Sequence, residues 1–452
     1  MKKFWMVLPS IVLIMAFALP ASAVDVKFSG SYVAQGYYDN NRALLANGGA
    51  SVSDIWQRLR LQTDFQIQEG LKLTTRADIM EKIWGASATL NTLPSNSMSG
   101  NDIDSQNIKF THVYVTMNLP ANVGTLKVGY QTQSVWGTAF GDTGETDYGS
   151  RVVWDWITGP FFWGARWDKI EGKMYYSSLG PAGNIGVSTY DVDHTYEKYS
   201  VLGGYNWSKG NTGLQITYYL DSSNDDGPAG YKSRYWAFQP YVKAQLGIVY
   251  VESEFGFLTG KDREYNSGAG LPDRTIAGWR GYIMANIDLA PAYVGALAFY
   301  ATGDDPGTTD KNEGGAKIGT DFTPCLILFN YDLGRWNGVL GGQNGMTAAV
   351  FPAYNNDNVM AWQVFAGIKP IPKLDVKASF TGASLDKNAI VNQISKNIGN
   401  EFDLSATYKI YDNLSYMVGL AYLWAGDAFM GSNSNAQLSN DYLVTHKLTL
   451  TF

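Results

Sequence analysis

The chain has 452 residues, of which 17% are charged and 14% aromatic, and it holds 49 glycines, 29 tyrosines and 14 tryptophans. A formal net charge of −7 argues against nucleic acid as a partner, and the lone Cys325 excludes an intramolecular disulfide. The length exceeds one ordinary soluble domain, yet no linker, composition shift or charge block divides it.

Lys2 and Lys3 precede an apolar run from Phe4 to Leu19, followed by Pro20 and Ala21-Ser22-Ala23. A basic start, a short apolar stretch and an A-x-A site predict a secretory signal peptide over residues 1–23, with the mature chain starting at Val24. No cysteine follows that site, so no lipid anchor is expected. Beyond residue 23 no run of about eighteen apolar residues occurs, so no helix is expected to span a membrane.

From there on, strand-like alternation recurs. The first strand is expected from Val26 to Tyr38 and the second from Asp54 to Gln68. In the second, Ile55, Leu59, Leu61, Phe65 and Ile67 share one face, while Trp56, Arg58, Arg60, Gln62, Asp64 and Gln66 share the other. Glu69-Gly70 turns the chain into a third strand, where Lys72, Thr74, Arg76 and Asp78 oppose Leu71, Leu73, Ala77 and Ile79. A polar loop over 85–106 leads to a fourth strand with Val113, Val115 and Met117 outward and His112, Tyr114 and Thr116 inward. After Pro120 to Gly124, a fifth carries Leu126, Val128 and Tyr130 outward and Lys127 inward.

Between Gln131 and Glu171 the alternation fails, which predicts a long connection holding Asp142, Glu145, Asp147 and the aromatic run Trp154, Trp156, Phe161, Phe162 and Trp163. That run suits either stacking on sugars or packing of an inward-folded loop. Hairpins resume with turns near Leu179-Gly180-Pro181, Ser208-Lys209-Gly210, Gln245-Leu246-Gly247 and Ala290-Pro291-Ala292. Tyr199, Val201, Gly203, Tyr205 and Trp207 mark the clearest strand, and Glu252 and Glu254 face inward in the eleventh. A second long connection spans about 302–357, within which Cys325 to Phe329 is long enough for an extra hairpin. Asp412-Asn413 then precedes a penultimate strand with Leu414, Tyr416, Val418, Leu420, Tyr422 and Trp424 on one face.

The chain ends on Asp441 to Phe452. Tyr442, Val444, His446, Leu448, Leu450 and Phe452 point to one face, and Leu443, Thr445, Lys447, Thr449 and Thr451 to the other. A terminal aromatic on an amphipathic strand resembles the signal read by barrel-insertion machinery, with Tyr442, Leu448, Leu450 and Phe452 as its parts. The whole predicts an all-β protein, a transmembrane antiparallel β-barrel of about eighteen strands over residues 24–452, with short periplasmic turns and long extracellular loops. Its expected place is the bacterial outer membrane, its expected surroundings lipid and lipopolysaccharide, and its oligomeric state is left open.

The segments Glu401 to Leu404, Gly419 to Tyr422, Ala425-Gly426-Asp427 and Tyr300 to Asp304, with the Arg58/Arg60 pair, resemble the alginate-export family of outer-membrane barrels. The resemblance implies an eighteen-stranded channel with a basic constriction that passes an anionic polysaccharide. This chain departs from that pattern in having few lumen arginines in its central and C-terminal strands.

On the residues alone, Arg58, Arg60, Lys72, Arg76 and Lys127 against Asp64 and Asp78 form a basic wall, with Glu252 and Glu254 as an acidic counterpart. Basic groups in a narrow lumen concentrate anions; the alternative is that they pair across strands, Arg58 or Arg60 with Asp64 or Asp78. The expected function is a porin that passes small hydrophilic solutes or saccharides, anionic ones first. Two alternatives are a sheath for a partner, such as a haem protein in an electron conduit, and a polysaccharide exporter. His112, His194 and His446 are the only histidines and carry no catalytic spacing, so no enzyme is expected. No cofactor is expected beyond Ca²⁺ at external loops such as Asn224-Asp225-Asp226, Asp304-Asp305 and Asn355 to Asn358.

Overall fold

The computed structural model describes residues 24–41, 44, 46, 51–84, 108–143, 147–175, 189–225, 229–330, 357–390 and 392–452. The expected signal peptide, the polar loop at 85–106 and the turn at Leu179-Gly180-Pro181 lie outside them.

Eighteen strands form the wall. The first nine are β1 (Asp25–Asp39), β2 (Val52–Gln68), β3 (Leu71–Ile83), β4 (Ile108–Asn118), β5 (Thr125–Thr132), β6 (Tyr148–Thr158), β7 (Phe161–Tyr175), β8 (Thr189–Trp207) and β9 (Gly210–Asp221). The rest are β10 (Tyr231–Leu246), β11 (Val249–Tyr265), β12 (Trp279–Leu289), β13 (Ala292–Ala301), β14 (Val359–Ile371), β15 (Leu374–Ser384), β16 (Asn397–Tyr411), β17 (Leu414–Ala425) and β18 (Asp441–Thr451). Each pairs antiparallel with its neighbours in sequence, and β1 closes the ring on β18 from Ser31↔Thr451 to Asp39↔Leu443. At that seam Gly30 N–H donates to Phe452 O at 2.8 Å and Phe452 N–H to Gly30 O at 3.0 Å. Closure leaves no sheet edge unpaired, the condition a strand protein must meet in hydrocarbon.

The faces are inverted relative to a soluble protein. In β17, Tyr416, Val418, Leu420, Tyr422 and Trp424 are 37–47% exposed, while Gly419, Ala421 and Leu423 between them are buried inside. Trp163, Val201, Ile283 and Val364 are likewise exposed on the outside, whereas Asp78, Asp168, Glu254, Gln363 and Glu401 are buried. Such an exterior is stable against lipid and not against water. The chain is a membrane-spanning antiparallel β-barrel.

Three expectations are corrected. Residues 131–171 are not one connection: residues 133–143 and 147 are loop, and the β6–β7 hairpin follows, closed at Gly159-Pro160 with Gly159 at φ 57. The aromatic run therefore lies mostly on the outside of that hairpin. Trp154 and Trp156 donate their indole N–H to Val123 O and Asn122 O near the short-turn rim, and Phe161 and Trp163 stack beside them on the outer face. This is the position of an interfacial aromatic girdle, and only Phe162 turns inward, against Trp136. Cys325 to Phe329 forms no hairpin; it is a buried turn inside the barrel. His194, expected in a loop, belongs to β8.

Candidate functional site

The wall from β2 to β5 carries the charges that alternation predicts. Arg60 and Asp78 sit opposite each other and form a two-pronged pair, Nε to Oδ1 at 2.7 Å and Nη2 to Oδ2 at 2.9 Å. Lys72 reaches Asp64 at 3.2 Å, and Thr74 donates to the same carboxylate. Lys127 pairs with Asp155 of β6 at 3.1 Å, and Arg166 of β7 approaches that carboxylate at 3.4 Å. Arg76 donates to Thr111 Oγ1 at 2.9 Å. Arg58 meets Glu81 at 3.5 Å. Glu81 escapes a period-2 reading because Met80 adopts φ 52, which opens a bulge and shifts the inner face by one residue.

Two connections fold into the lumen. Residues 133–143 leave β5 and cross to the wall of β10 to β13. Thr138 donates its backbone N–H and its hydroxyl to Glu254 Oε2 at 2.8 and 2.9 Å, and Trp136 Nε1 donates to Gln239 O at 2.7 Å. Phe140 is fully buried, stacked on Tyr282 at 5.2 Å with Phe322 edge-on. Glu252, one pair further along β11, accepts from the hydroxyls of Tyr250 and Tyr282 at 2.9 and 2.8 Å.

Residues 313–330, from the β13–β14 connection, lie against the first segment. Gly319 N–H donates to Phe140 O and Asp321 N–H to Asp142 O. Arg280 joins both segments to the wall: Nη2 donates to Glu254 Oε1 at 3.2 Å and Nη1 to Lys317 O. Further along, Leu326, Ile327 and Leu328 give three successive backbone N–H groups to the Glu401 carboxylate at 3.1, 2.6 and 2.6 Å. A non-helical turn buries these amides, and only an acceptor from the wall satisfies them. Ile327, Leu328 and Phe329 pack with Phe299, Ala361, Ala383, Leu423 and Leu443 in the principal apolar cluster, each full burial contributing roughly 1.5–3 kcal/mol.

The inward segments thus rest on the β10–β18 side and on β1, where the inner wall holds the principal apolar cluster, with Glu254, Arg280, Gln363 and Glu401 buried among it. Toward β6 to β12 a cavity of about 290 Å³ remains, lined by Arg151, Asp168, Lys198, Gln215, Tyr219, Gln239, Arg280 and Lys317. Arg151 is ion-paired with Asp168 and donates to Thr132 O at 2.7 Å, while Lys198 lies 3.4 Å from Ser134 Oγ and 3.8 Å from Asp147. On the first segment, burial pushes the Asp142 carboxyl up to about 7, with Glu254 and Asp321 adding to the effect and the Trp136 N–H opposing it. Burial, then the charges of Glu401 and Asp403, push the Cys325 thiol well above its usual range.

Of the residues singled out in sequence, Arg60 with Asp78 and Lys72 with Asp64 are brought together, whereas Glu254 is 1% exposed beneath the first segment. Tyr442 faces outward beside Tyr38, and Phe452 closes the seam. Arg151, Asp168, Lys198 and Arg280 went unseen; the first two lie on the hairpin whose aromatics mask its alternation.

Comparison with protein-family models gave no match, and comparison with curated proteins gave none. Solved structures do match over nearly the whole chain. Pseudomonas aeruginosa OccK9 (OpdG) is similar with a TM-score of 0.53 and 12% identity, covering 94% of this chain and 99% of that one. Acinetobacter baumannii OccAB2 gives 0.51 and 12%, covering 94% and 98%, and Pseudomonas aeruginosa OccK3 (OpdO) gives 0.50 and 12%, covering 94% and 96%. At this identity the likeness is one of fold, a porin-like barrel of the outer-membrane kind. It lends no support to the alginate-export resemblance.

Proposed function

We propose that the chain is a bacterial outer-membrane channel for passive diffusion of small hydrophilic solutes, with a preference for anions. The observation that carries this reading is the asymmetric filling of the lumen. Among the described residues, the inward segments pack on the β10–β18 side and leave a polar cavity bounded by Arg151, Lys198 and Lys317. Arg58, Arg60 and Arg76 line the neighbouring wall, partly offset by Glu81 and Asp78. In a narrow, wet passage charges separated by less than a Debye length, about 8 Å at physiological salt, act on a passing ion together.

A sheath around a partner protein calls for a wide empty lumen, and the two aromatic-rich inward segments speak against it. They speak equally against a broad polysaccharide conduit. Planar-bilayer recording in a salt gradient tests the reading: discrete steps with a reversal potential on the anion side support it. The solute is defined by chemistry alone, small and anionic.

A further inference from the structure

We propose that Cys325, Glu401 and Asp403 form a binding site for one divalent cation of the zinc class, independent of which solute the channel passes. Cys325 comes from the second inward segment, and Glu401 and Asp403 are consecutive inner-face positions of β16. One ligand atom from each lies within 4.8 Å of the others, and the three residues are 3%, 0% and 5% exposed.

Two further oxygens mark the site as incomplete. Gln363 Oε1 is buried without a donor, and Asp403 Oδ1 is buried with no neighbour but the Glu401 carboxyl and the Leu326 amide to satisfy it; Gln363 is 1% exposed. The amide nitrogen of Gln363 donates to Thr381 Oγ1 at 2.9 Å and lies 3.6 Å from Cys325 Sγ, so its side chain belongs to the same cluster. Buried polar oxygens without a donor are rare in folded proteins, and two carboxylates side by side repel. Lys377 acts on Asp403 from a distance, and among the described residues no ion pair is made to Glu401 or Asp403.

The donor set fits a cation of intermediate softness. Glu401 spends three of its four lone-pair sites on backbone N–H groups, leaving one on Oε2. Asp403 Oδ2 is held by Ser379, leaving Oδ1 as its ligand atom. A thiolate beside carboxylates selects Zn²⁺ over Mg²⁺ or Ca²⁺, which take oxygen ligands only, while Gln363 turns its amide nitrogen toward the sulfur and so supports Cys325 without ligating the metal. On binding, the thiol proton passes to solvent and the Cys325 sulfur becomes the anionic ligand. The competing account is a proton shared between the two carboxyls, which leaves the thiol protonated and retains no metal.

The site is roofed by residues 325–330, so the cation enters as the barrel folds. The mature chain is therefore refolded into detergent micelles with Zn²⁺ or Co²⁺, desalted and assayed for bound metal. The proposal expects one zinc per chain and, with cobalt, a thiolate-to-metal charge-transfer band. Both are lost in Cys325→Ser and Asp403→Asn, and Gln363→Met weakens affinity roughly 10–100-fold, as loss of a residue that orients a ligand does. Heat-modifiable mobility checks that the variants fold; if they do not, the cobalt spectrum of the unaltered chain decides alone. Absence of retained metal, metal retained without the thiolate band, or equal retention by Cys325→Ser overturns the proposal.

Discussion

Glu401 offers the sharpest mechanical test. Its carboxylate accepts from Leu326, Ile327 and Leu328, and the residue is fully buried. Glu401→Ala orphans three buried amides at about 1–3 kcal/mol each, on the order of 3–9 kcal/mol against docking of residues 324–330. Glu401→Gln keeps one oxygen for Leu326 and Ile327 but turns an NH₂ group toward the Leu328 N–H, so about 1–3 kcal/mol is lost. Each 1.4 kcal/mol changes the docked-to-undocked ratio tenfold, so the two variants separate clearly. The wall is untouched, because the β15–β16–β17 ladders are made by the backbone. Single-channel recording is expected to show larger conductance steps in Glu401→Ala and more frequent transient openings in Glu401→Gln. A heat-modifiable Glu401→Ala barrel with unaltered conductance and noise refutes the idea that this carboxylate holds the segment in the lumen.

The Asp142 carboxyl, raised from 3.8 to about 7, gives a pH signature. A raised acid pKa means the docked loop keeps a proton that the undocked loop releases, so docking weakens as pH climbs from about 4 toward 7 and then levels off. Open-channel noise should rise across that window in the parent protein and stay flat in Asp142→Asn. Removing Phe452 deletes the hydrogen-bonded pair with Gly30 at the seam, and the heat-modifiable species should fall sharply in amount. Undiminished folded barrel contradicts a closing role for that residue. With Cys325 first replaced by Ser, Arg58→Cys and Arg76→Cys should react with a water-soluble thiol reagent, and Leu59→Cys and Leu61→Cys only with a lipid-borne one; the reverse pattern places β2 in the wrong register.

Much of the barrel was legible because lipid outside and water inside impose a period of two. It shows in β2, in β8 from Tyr199 to Trp207, and in β17 and β18. The period vanishes where the inner face is not wet. In β13, Leu297 and Phe299 face the inward segments and Ala296 and Ala298 face lipid, so neither face is polar. The β6–β7 hairpin was missed because Trp154, Trp156, Phe161 and Trp163 crowd its outer side while Val153 and Phe162 occupy part of the inner one. Cys325 to Phe329 has the length and apolarity of a strand. What makes it a buried turn is Glu401, some seventy residues away, whose role no local pattern encodes. The Arg60–Asp78 pair is one of the cross-strand pairings the sequence left open, chosen by a register shift between Gln66 and Gln68, whereas Arg58–Glu81 depends on a positive φ at Met80 that the sequence does not announce.

The most direct test of the channel is the reversal potential of the purified protein across a planar bilayer in a tenfold salt gradient. The account predicts discrete conductance steps with a reversal potential on the anion side. Changing Arg58, Arg76 and Lys198 together to Gln should move it toward the cation side, with the barrel still heat-modifiable. A parent channel that prefers cations contradicts the basic-wall account, and a folded barrel that carries no current contradicts the channel itself.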